Sequence, residues 1–73
     1  MIRLHSERID HLRRRRGLSQ GELAIKAGLH PTHLSKVLAD AKRGMPARLT
    51  LTNLDGLCRA LHMPPSRLLV YWP

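Results

Sequence analysis

Residues 20–39 read QGELAIKAGLHPTHLSKVLA, and these twenty residues carry the clearest structural pattern in the chain. Its apolar residues recur at helical spacing on both sides of Gly28, which predicts two short helices joined by a tight turn. Ser19 and Glu22 have the spacing of a capping box, in which each side chain satisfies a backbone amide of the other residue. Pro31 suits the first position of the second helix, because its missing N–H would have no partner there.

The two helices are predicted to cross and to bury small and aliphatic side chains between them. Ala24 is small where crossing helices would meet, Gly28 lies where the turn needs an unhindered backbone, and Leu29 is buried as the chain reverses. This is the steric pattern of a helix-turn-helix. The pattern is more specific than a short motif, because several independent steric requirements are met within twenty residues. The apolar positions of the pattern are Leu23, Ala27, Leu29, Leu34 and Val37.

The segment before residue 19 predicts one further helix. Ser6 is the expected N-cap, and the helix runs to about Arg16, where Gly17 supplies the stop. Ile9 and Leu12 lie three residues apart and therefore share one face, which we expect to pack inwards.

The segment after residue 39 predicts an exposed loop and two more helices. The residues from Asp40 to Arg48 mix glycine, proline and cations, which is typical of a loop. Thr50 or Thr52 then caps a fourth helix, which Gly56 weakens by about 1 kcal/mol relative to alanine. One last short turn over residues 66–70 closes the core with Leu68 and Leu69. The inner stripe of the fourth helix is expected to consist of Leu51, Leu54, Leu57, Cys58 and Leu61.

Composition limits the class of protein and its partners. The chain has 73 residues with fourteen leucines and two aromatic residues, which favours helices and a single all-α domain over residues 1–73. Thirteen Lys and Arg against five Asp and Glu give a formal net charge of +8. Such a charge implies an anionic partner, with nucleic acid first and an acidic membrane surface second. The single cysteine fits a reducing compartment, so we expect a cytoplasmic location, and no stretch is apolar enough to span a membrane.

Two segments resemble a known family. RIDHLRRRRGLSQGELAIKAGLHPTHLSKVL, residues 8–38, looks like the first three helices of phage-repressor/Cro-like (XRE-like) DNA-binding domains, and LTLTNLDGLCRALHMPPSRLL, residues 49–69, resembles their last two. The resemblance implies a compact, five-helix, lambda-repressor-like helix-turn-helix domain that binds operator DNA, usually as a two-fold dimer. The chain departs from the family pattern at Pro31, where a polar base-reading residue often stands, and at His30, which replaces a Ser or Thr cap. Its loop from Asp40 to Arg48 is also several residues long.

The resemblance implies that the helix beginning at Pro31 lies in the major groove with its first residues towards the base edges. Lys36 can donate to guanine O6 or N7, Thr32 can bond to a base or touch a thymine methyl, and Pro31 can add only apolar contact. The candidate base-reading residues are Pro31, Thr32, His33 and Lys36.

A second set of residues is expected to bind phosphates, which contributes affinity but little sequence information. Gln20 would donate to a phosphate beside the positive end of its helix. The run of four arginines at residues 13–16 can be read as a solvated helix face, but beside a helix-turn-helix we expect at least one or two of them to touch phosphate. The candidate phosphate-binding residues are Gln20, Arg13, Arg14, Arg16, Ser35, Lys42, Arg43 and Arg48.

Metal and catalytic sites fit the sequence less well. His30 with His33, and Cys58 with His62, have plausible ligand spacing. Cys58, however, falls on a leucine stripe, where a free thiol packs as a small apolar group. The five carboxylates are scattered, and no base lies at evident reach of the thiol to activate it. We expect no metal, no cofactor and no enzymatic activity.

The sequence thus predicts a small transcriptional regulator, a repressor, that binds double-stranded DNA and forms a homodimer at least on DNA. One alternative is an antitoxin-type module that binds a protein partner, a toxin, and keeps DNA binding for autoregulation. Another is nonspecific binding of RNA or acidic membrane by charge alone. Two roles stay open for Tyr71 and Trp72, which either cap the core or present a partner surface.

Overall fold

Five short helices and two three-residue strands make up the fold of residues 1–71. The computed structural model describes residues 1–71 of the chain. The five helices confirm the predicted all-α class, and the small sheet is an addition to it. In chain order the elements are β1 (Ile2–Leu4), α1 (Ser6–Arg15), α2 (Gln20–Ala27), α3 (Pro31–Lys42), α4 (Leu51–Leu61), α5 (Pro65–Leu68) and β2 (Leu69–Tyr71).

Every helix contributes at least one fully buried leucine or isoleucine to one core. Each such side chain contributes about 1.5–3 kcal/mol relative to an exposed position. Ala24 and Ala27 of α2 and Ala41 of α3 complete the core with small side chains. The largest fully buried side chains are Ile9 of α1, Leu23 of α2, Leu34 of α3, Leu57 and Leu61 of α4, and Leu68 of α5.

The turn between α2 and α3 has the geometry that its sequence predicts. The capping box is present: Ser19 Oγ accepts from the Glu22 N–H at 3.0 Å, and Glu22 Oε1 accepts from the Ser19 N–H at 2.8 Å. Gly28 ends α2 in the left-handed region with φ 76°. The Leu29 N–H then donates to the Ala24 carbonyl at 2.8 Å, and the Leu29 side chain is buried. These bonds hold the start of α3 in place.

The start of α1 differs from the prediction. Ser6 is not the N-cap, because His5 occupies that position and its Nδ1 accepts from the Arg8 N–H at 3.2 Å. Ser6 is instead the first residue of the helix and is buried. An imidazole nitrogen therefore does what a serine hydroxyl was expected to do.

The predicted loop from Asp40 to Arg48 begins too early. α3 continues to Lys42, because Ala41 extends the buried stripe of the helix by one more turn. The connection to α4 is residues 43–50, and within it Gly44 adopts a left-handed φ of 75°.

The structure of α4 and of the last segment decides which threonine caps α4 and differs from two of the predictions. Thr50, rather than Thr52, caps α4, with its Oγ1 accepting from the Asn53 N–H at 3.1 Å. Leu51 does not lie on the inner stripe: it is 84% exposed, since it is the first residue of α4 and burial along the stripe starts only with Leu54. The last segment is a helix only to residue 68, and residues 69–71 form β2 rather than the end of a turn.

A two-stranded antiparallel sheet joins residues 2–4 to residues 69–71. The strands are too short for an alternating pattern to be recognised in the sequence, and they pair across almost the whole chain. Two further backbone hydrogen bonds involve the first strand and the residue that follows it. The His5 N–H donates to the Leu68 carbonyl at 2.8 Å, and the Ala47 N–H donates to the Ile2 carbonyl at 2.8 Å. The paired residues are Ile2 and Tyr71, Arg3 and Val70, and Leu4 and Leu69.

Gly56 permits the close approach of α2 and α4. A Cβ atom placed on Gly56 would lie 1.9 Å from the Ala27 carbonyl oxygen and 2.8 Å from the Ala27 carbonyl carbon. Backbone atoms cannot move aside as a flexible side chain can. The residue that the sequence marks only as a weak point of α4 is therefore required for helix packing.

We predict that Gly56→Ala destabilises the protein, although the same change in an open helix stabilises by about 1 kcal/mol. Overpacking of this kind typically costs about 1–3 kcal/mol, and here it must displace backbone. The measurement is the free energy of unfolding by chemical denaturation. Gly21→Ala is the matched control, because the nearest atom to a Cβ there is Ser19 Oγ at 3.9 Å. A Gly56→Ala variant as stable as the wild type would contradict this packing.

Candidate nucleic-acid interface

One side of α3 is polar and accessible, and we call it the outer face of α3. Thr32, Ser35 and Lys36 share this face at helical spacing, and all three are exposed. Pro31 is exposed at its start, and His33 is half-buried at its edge. The opposite side of α3 is buried in the core, where it contributes Leu34, Val37, Leu38 and Ala41. The structure thus brings the four candidate base-reading residues onto one accessible end of a firmly held helix.

Two further residues belong to this surface, although neither is among the predicted base-reading or phosphate-binding residues. His30 is the N-cap of α3, with its Nδ1 accepting from the Thr32 N–H at 3.1 Å, and it is exposed. Because Nδ1 accepts, the proton of the neutral ring is on Nε2, which leaves a donor available. Ala39 is exposed one turn after Lys36 and extends the outer face of α3. Its position three residues beyond Lys36 is the signal that could have identified it.

The start of α2 lies at the other side of the turn and holds Gln20. Gln20 is the first residue of α2 and is half-buried. Glu22, in the same first turn, is held by Ser19, and the hydrogen bond from the Ser19 backbone N–H is the largest cause that lowers the pKa of Glu22. The carboxylate is thereby kept in the charged form that caps the helix.

The four arginines at the end of α1 do not have one role. Arg14, Arg15 and Arg16 are exposed. The Arg13 side chain is only 16% exposed, its Nη1 donates to the Leu18 carbonyl at 2.8 Å, and its Nε lies 3.6 Å from Asp10 Oδ1. Arg13 therefore ties the end of α1 to the turn that leads into α2, whereas its neighbours keep their charge in solvent.

Three cations lie at the end of α3 and in the following loop. Lys42 Nζ is 3.5 Å from Asp10 Oδ2, and Arg43 pairs with Asp40, yet both cationic side chains are more than half exposed. Arg48 is exposed as well. Ion pairs at the surface contribute only about 0–1 kcal/mol, so such cations exchange a carboxylate for a phosphate at little cost.

The residues considered for metal binding and catalysis are not brought into a site. Within residues 1–71, no three His, Cys, Asp or Glu side chains are grouped so that they could hold a metal ion. The Cys58 thiol is buried on α4, and desolvation raises its pKa, which favours the protonated, unreactive form. In the same range, no helix has the length and apolar character needed to cross a membrane.

The exposure of Tyr71 excludes one of the two roles considered for this residue. Its side chain is 71% exposed, so it does not cap the core. Trp72, the other residue of that prediction, lies outside the described residues.

Comparisons with known proteins agree with the fold. The family model of the Cro/C1-type HTH DNA-binding domain matches residues 8–73. The chain is also similar to the restriction-modification controller protein C.AhdI from Aeromonas hydrophila, known from a high-resolution crystal structure. The identity is 31%, the TM-score is 0.62, and the match covers 85% of this chain and 86% of that chain. No curated protein matches. The resemblance seen in the sequence is thereby confirmed.

The capping box makes stability depend on pH with a definite sign. The pKa of Glu22 is lower in the folded than in the unfolded chain, so its contribution is complete above the ordinary glutamate pKa and is lost as the pH falls through the folded value. We expect the stability of the wild type relative to Glu22→Gln to be constant near neutral pH and to shrink below about pH 4. Urea denaturation of both proteins across this range measures the difference. A difference that does not change with pH would count against the capping role.

Proposed function

This chain belongs to the Cro/C1-type helix-turn-helix DNA-binding domains, and we propose that it is a sequence-specific regulator of transcription whose α3 reads base edges in the major groove. The observation that carries the proposal is the outer face of α3, polar and open, on a helix whose other side is buried. Similarity to a restriction-modification controller protein supports a regulatory role.

The proposed base contacts follow from the chemistry of the exposed side chains. Lys36 donates to guanine O6 or N7, and Thr32 bonds to a base or touches a thymine methyl. Pro31 adds apolar contact, and His33 offers a ring nitrogen from the edge of the face. His30 joins this set through its free Nε2–H, which suits a phosphate or base acceptor.

The proposed phosphate contacts are cationic or polar side chains that reach solvent. They are assigned to Gln20, Arg14, Arg16, Ser35, Lys42, Arg43 and Arg48. We leave Arg13 out of this set, since its guanidinium already donates to the Leu18 carbonyl and is partly buried. The formal net charge of +8 is itself sufficient to attract the protein to DNA at long range.

We further propose that the protein acts as a repressor by occupying its operator as a homodimer. In a two-fold dimer the two copies of α3 lie about 34 Å apart and read a pseudo-palindrome. Residues 1–73 serve as one DNA-binding domain, and the protein acts in the cytoplasm.

Selection of bound duplexes from a random pool tests the proposal most directly. We expect enrichment of a pseudo-palindrome whose half-sites are about 10 base pairs apart, centre to centre. Survival of binding in a large excess of unrelated DNA is the control that separates base reading from attraction by charge alone. A pool that shows no enriched sequence would overturn the assignment.

Lys36→Ala is predicted to cost about 1–3 kcal/mol on the selected duplex and to relax the preference at one base position, because it removes a base contact. Arg43→Ala is the matched comparison: it should weaken all duplexes alike and reduce the salt slope by about 1. Affinity titrations on the selected duplex and on single-base variants measure both effects. Equal losses across all sequences for the two variants would place the reading surface elsewhere.

The affinity for DNA is predicted to fall steeply with salt. If about six phosphates are neutralised, the logarithm of the association constant falls against the logarithm of the salt concentration with a slope of roughly −5. Titrations at four or more salt concentrations give the slope. An affinity that does not change with salt would contradict the proposed phosphate contacts.

A further inference from the structure

The Asp10 carboxylate connects three parts of the fold. Its Oδ1 lies 3.6 Å from Arg13 Nε, and its Oδ2 lies 3.5 Å from Lys42 Nζ. Arg13 is bonded through Nη1 to the carbonyl of Leu18, which lies in the turn before α2, and Lys42 is the last residue of α3. A single carboxylate on α1 is therefore linked both to the turn into α2 and to the end of α3.

The two cations beside Asp10 differ in how easily they can leave it. The Asp10 and Arg13 side chains are each 16% exposed, whereas the Lys42 side chain is 60% exposed. A lysine ammonium is carried on a flexible four-carbon stem, so Lys42 can turn outward while the carboxylate stays in place. Asp10 is thus an anchored anion with one anchored partner and one mobile partner.

The ion pair between Arg59 and Asp55 is built differently. Arg59 Nε lies 2.9 Å from Asp55 Oδ2, and the two side chains are 81% and 61% exposed. Both residues belong to α4, so their contact connects no other element. The pair therefore provides a comparison in which a carboxylate carries the same charge but is neither anchored nor linked to a second helix.

Arg13 has an unused donor that indicates a second arrangement of this cluster. Within residues 1–71, its Nε is a buried nitrogen without a hydrogen-bond partner. The separation of 3.6 Å from Asp10 Oδ1 is too long for a hydrogen bond, but a shift of about 0.7 Å would make one. A buried N–H without a partner costs free energy, so the carboxylate gains by closing on Arg13 once Lys42 no longer attracts it.

We propose that Asp10 is a positioning residue that changes its partner when the protein binds DNA. In the free protein Asp10 holds Lys42. In the complex Lys42 moves to a backbone phosphate, whose oxygens accept from an ammonium as a carboxylate does, and Asp10 closes on Arg13 Nε. This inference rests on the phosphate contact of Lys42 in the proposed function.

The exchange makes Asp10 a competitor of DNA for Lys42. Because the pair must be broken before the phosphate is bound, Asp10 lowers the affinity for every duplex by the same factor. For an ion pair at the surface this factor is at most about five-fold. The exchange also tightens the link from α1 through Arg13 to the Leu18 carbonyl, and so to the start of α2. Binding at the end of α3 is thereby coupled to the placement of α2.

Fluorescence anisotropy titrations of the full chain with a duplex of arbitrary sequence test the competition, at about 0.1 M NaCl. Phosphate contacts carry little sequence information, so the result does not depend on whether an operator is found. Asp10→Asn is expected to bind about three- to five-fold more tightly than Asp55→Asn, although each change removes one negative charge. Equal affinities of these two variants would overturn the proposal.

Two further variants separate pairing from general charge. When Lys42→Gln is added to each protein, Asp10→Asn and Asp55→Asn should bind alike, because no mobile cation is left for Asp10 to hold. Glu7→Gln should also bind as Asp55→Asn does, since Glu7 lines the same surface depression as Lys42 without being paired with it. An advantage of Asp10→Asn that persists without Lys42 would overturn the proposal.

The change of partner itself is measured by NMR at the Arg13 Nε–H, in proteins that keep Asp10. This signal should move downfield when the duplex is added to the wild type, because the N–H gains an acceptor, and the Arg59 Nε–H serves as the control. In Lys42→Gln the Arg13 signal should already lie near the bound position without DNA. An Arg13 signal that neither the duplex nor Lys42→Gln moves would overturn the exchange. Failure of the wild type to bind any duplex would instead overturn the phosphate contact and the proposed function with it.

Discussion

The burial of one side of α3 is the constraint on which the rest of the molecule depends. Leu34 is completely buried, and Val37, Leu38 and Ala41 continue the contact along the helix. The helix can therefore neither rotate nor slide without exposing core, so its polar side must face outward. The left-handed Gly28 and the capping box before it set the direction in which the helix leaves the turn. The accessible polar face, which we propose reads DNA, is in this way a consequence of packing.

Charge has two opposing effects on this small molecule. A formal charge of +8 attracts DNA, but it also makes two copies repel and loads the folded state with like charges. Two carboxylates reduce the repulsion between like charges in the folded chain. Asp10 lies between Arg13 and Lys42, and Asp40 pairs with Arg43. Among the described residues that line an apolar groove between the sheet and the start of α4, none is charged.

Local chemistry made much of the fold predictable. The capping box, Gly28 and Pro31 each act within a few residues, and each was placed correctly from the sequence. The polar side of α3 was predictable too, because burial of the leucines leaves only one direction for Thr32 and Lys36. The errors at α1 and α3 have simple reasons: histidine is an unusual cap, and the alanine at position 41 carries a weak hydrophobic signal.

What the sequence could not show depends on distant parts of the chain. Gly56 is required by the Ala27 carbonyl of another helix, the sheet pairs residues at the two ends, and the exposure of Leu51 depends on where α4 meets the core. The internal hydrogen bond of Arg13 to Leu18 likewise separates it from its neighbours only in three dimensions.

The most direct test of the account is an NMR titration of the protein with the duplex it prefers, followed through the backbone amides. Reading by the outer face of α3 predicts that the largest shifts occur at residues 32–36 and at Gln20, while the amides of Leu57 and Leu61 in the core change little. Shifts confined to the arginines at the end of α1, with the amides of α3 unchanged, would show that DNA is held by charge alone and would contradict the account.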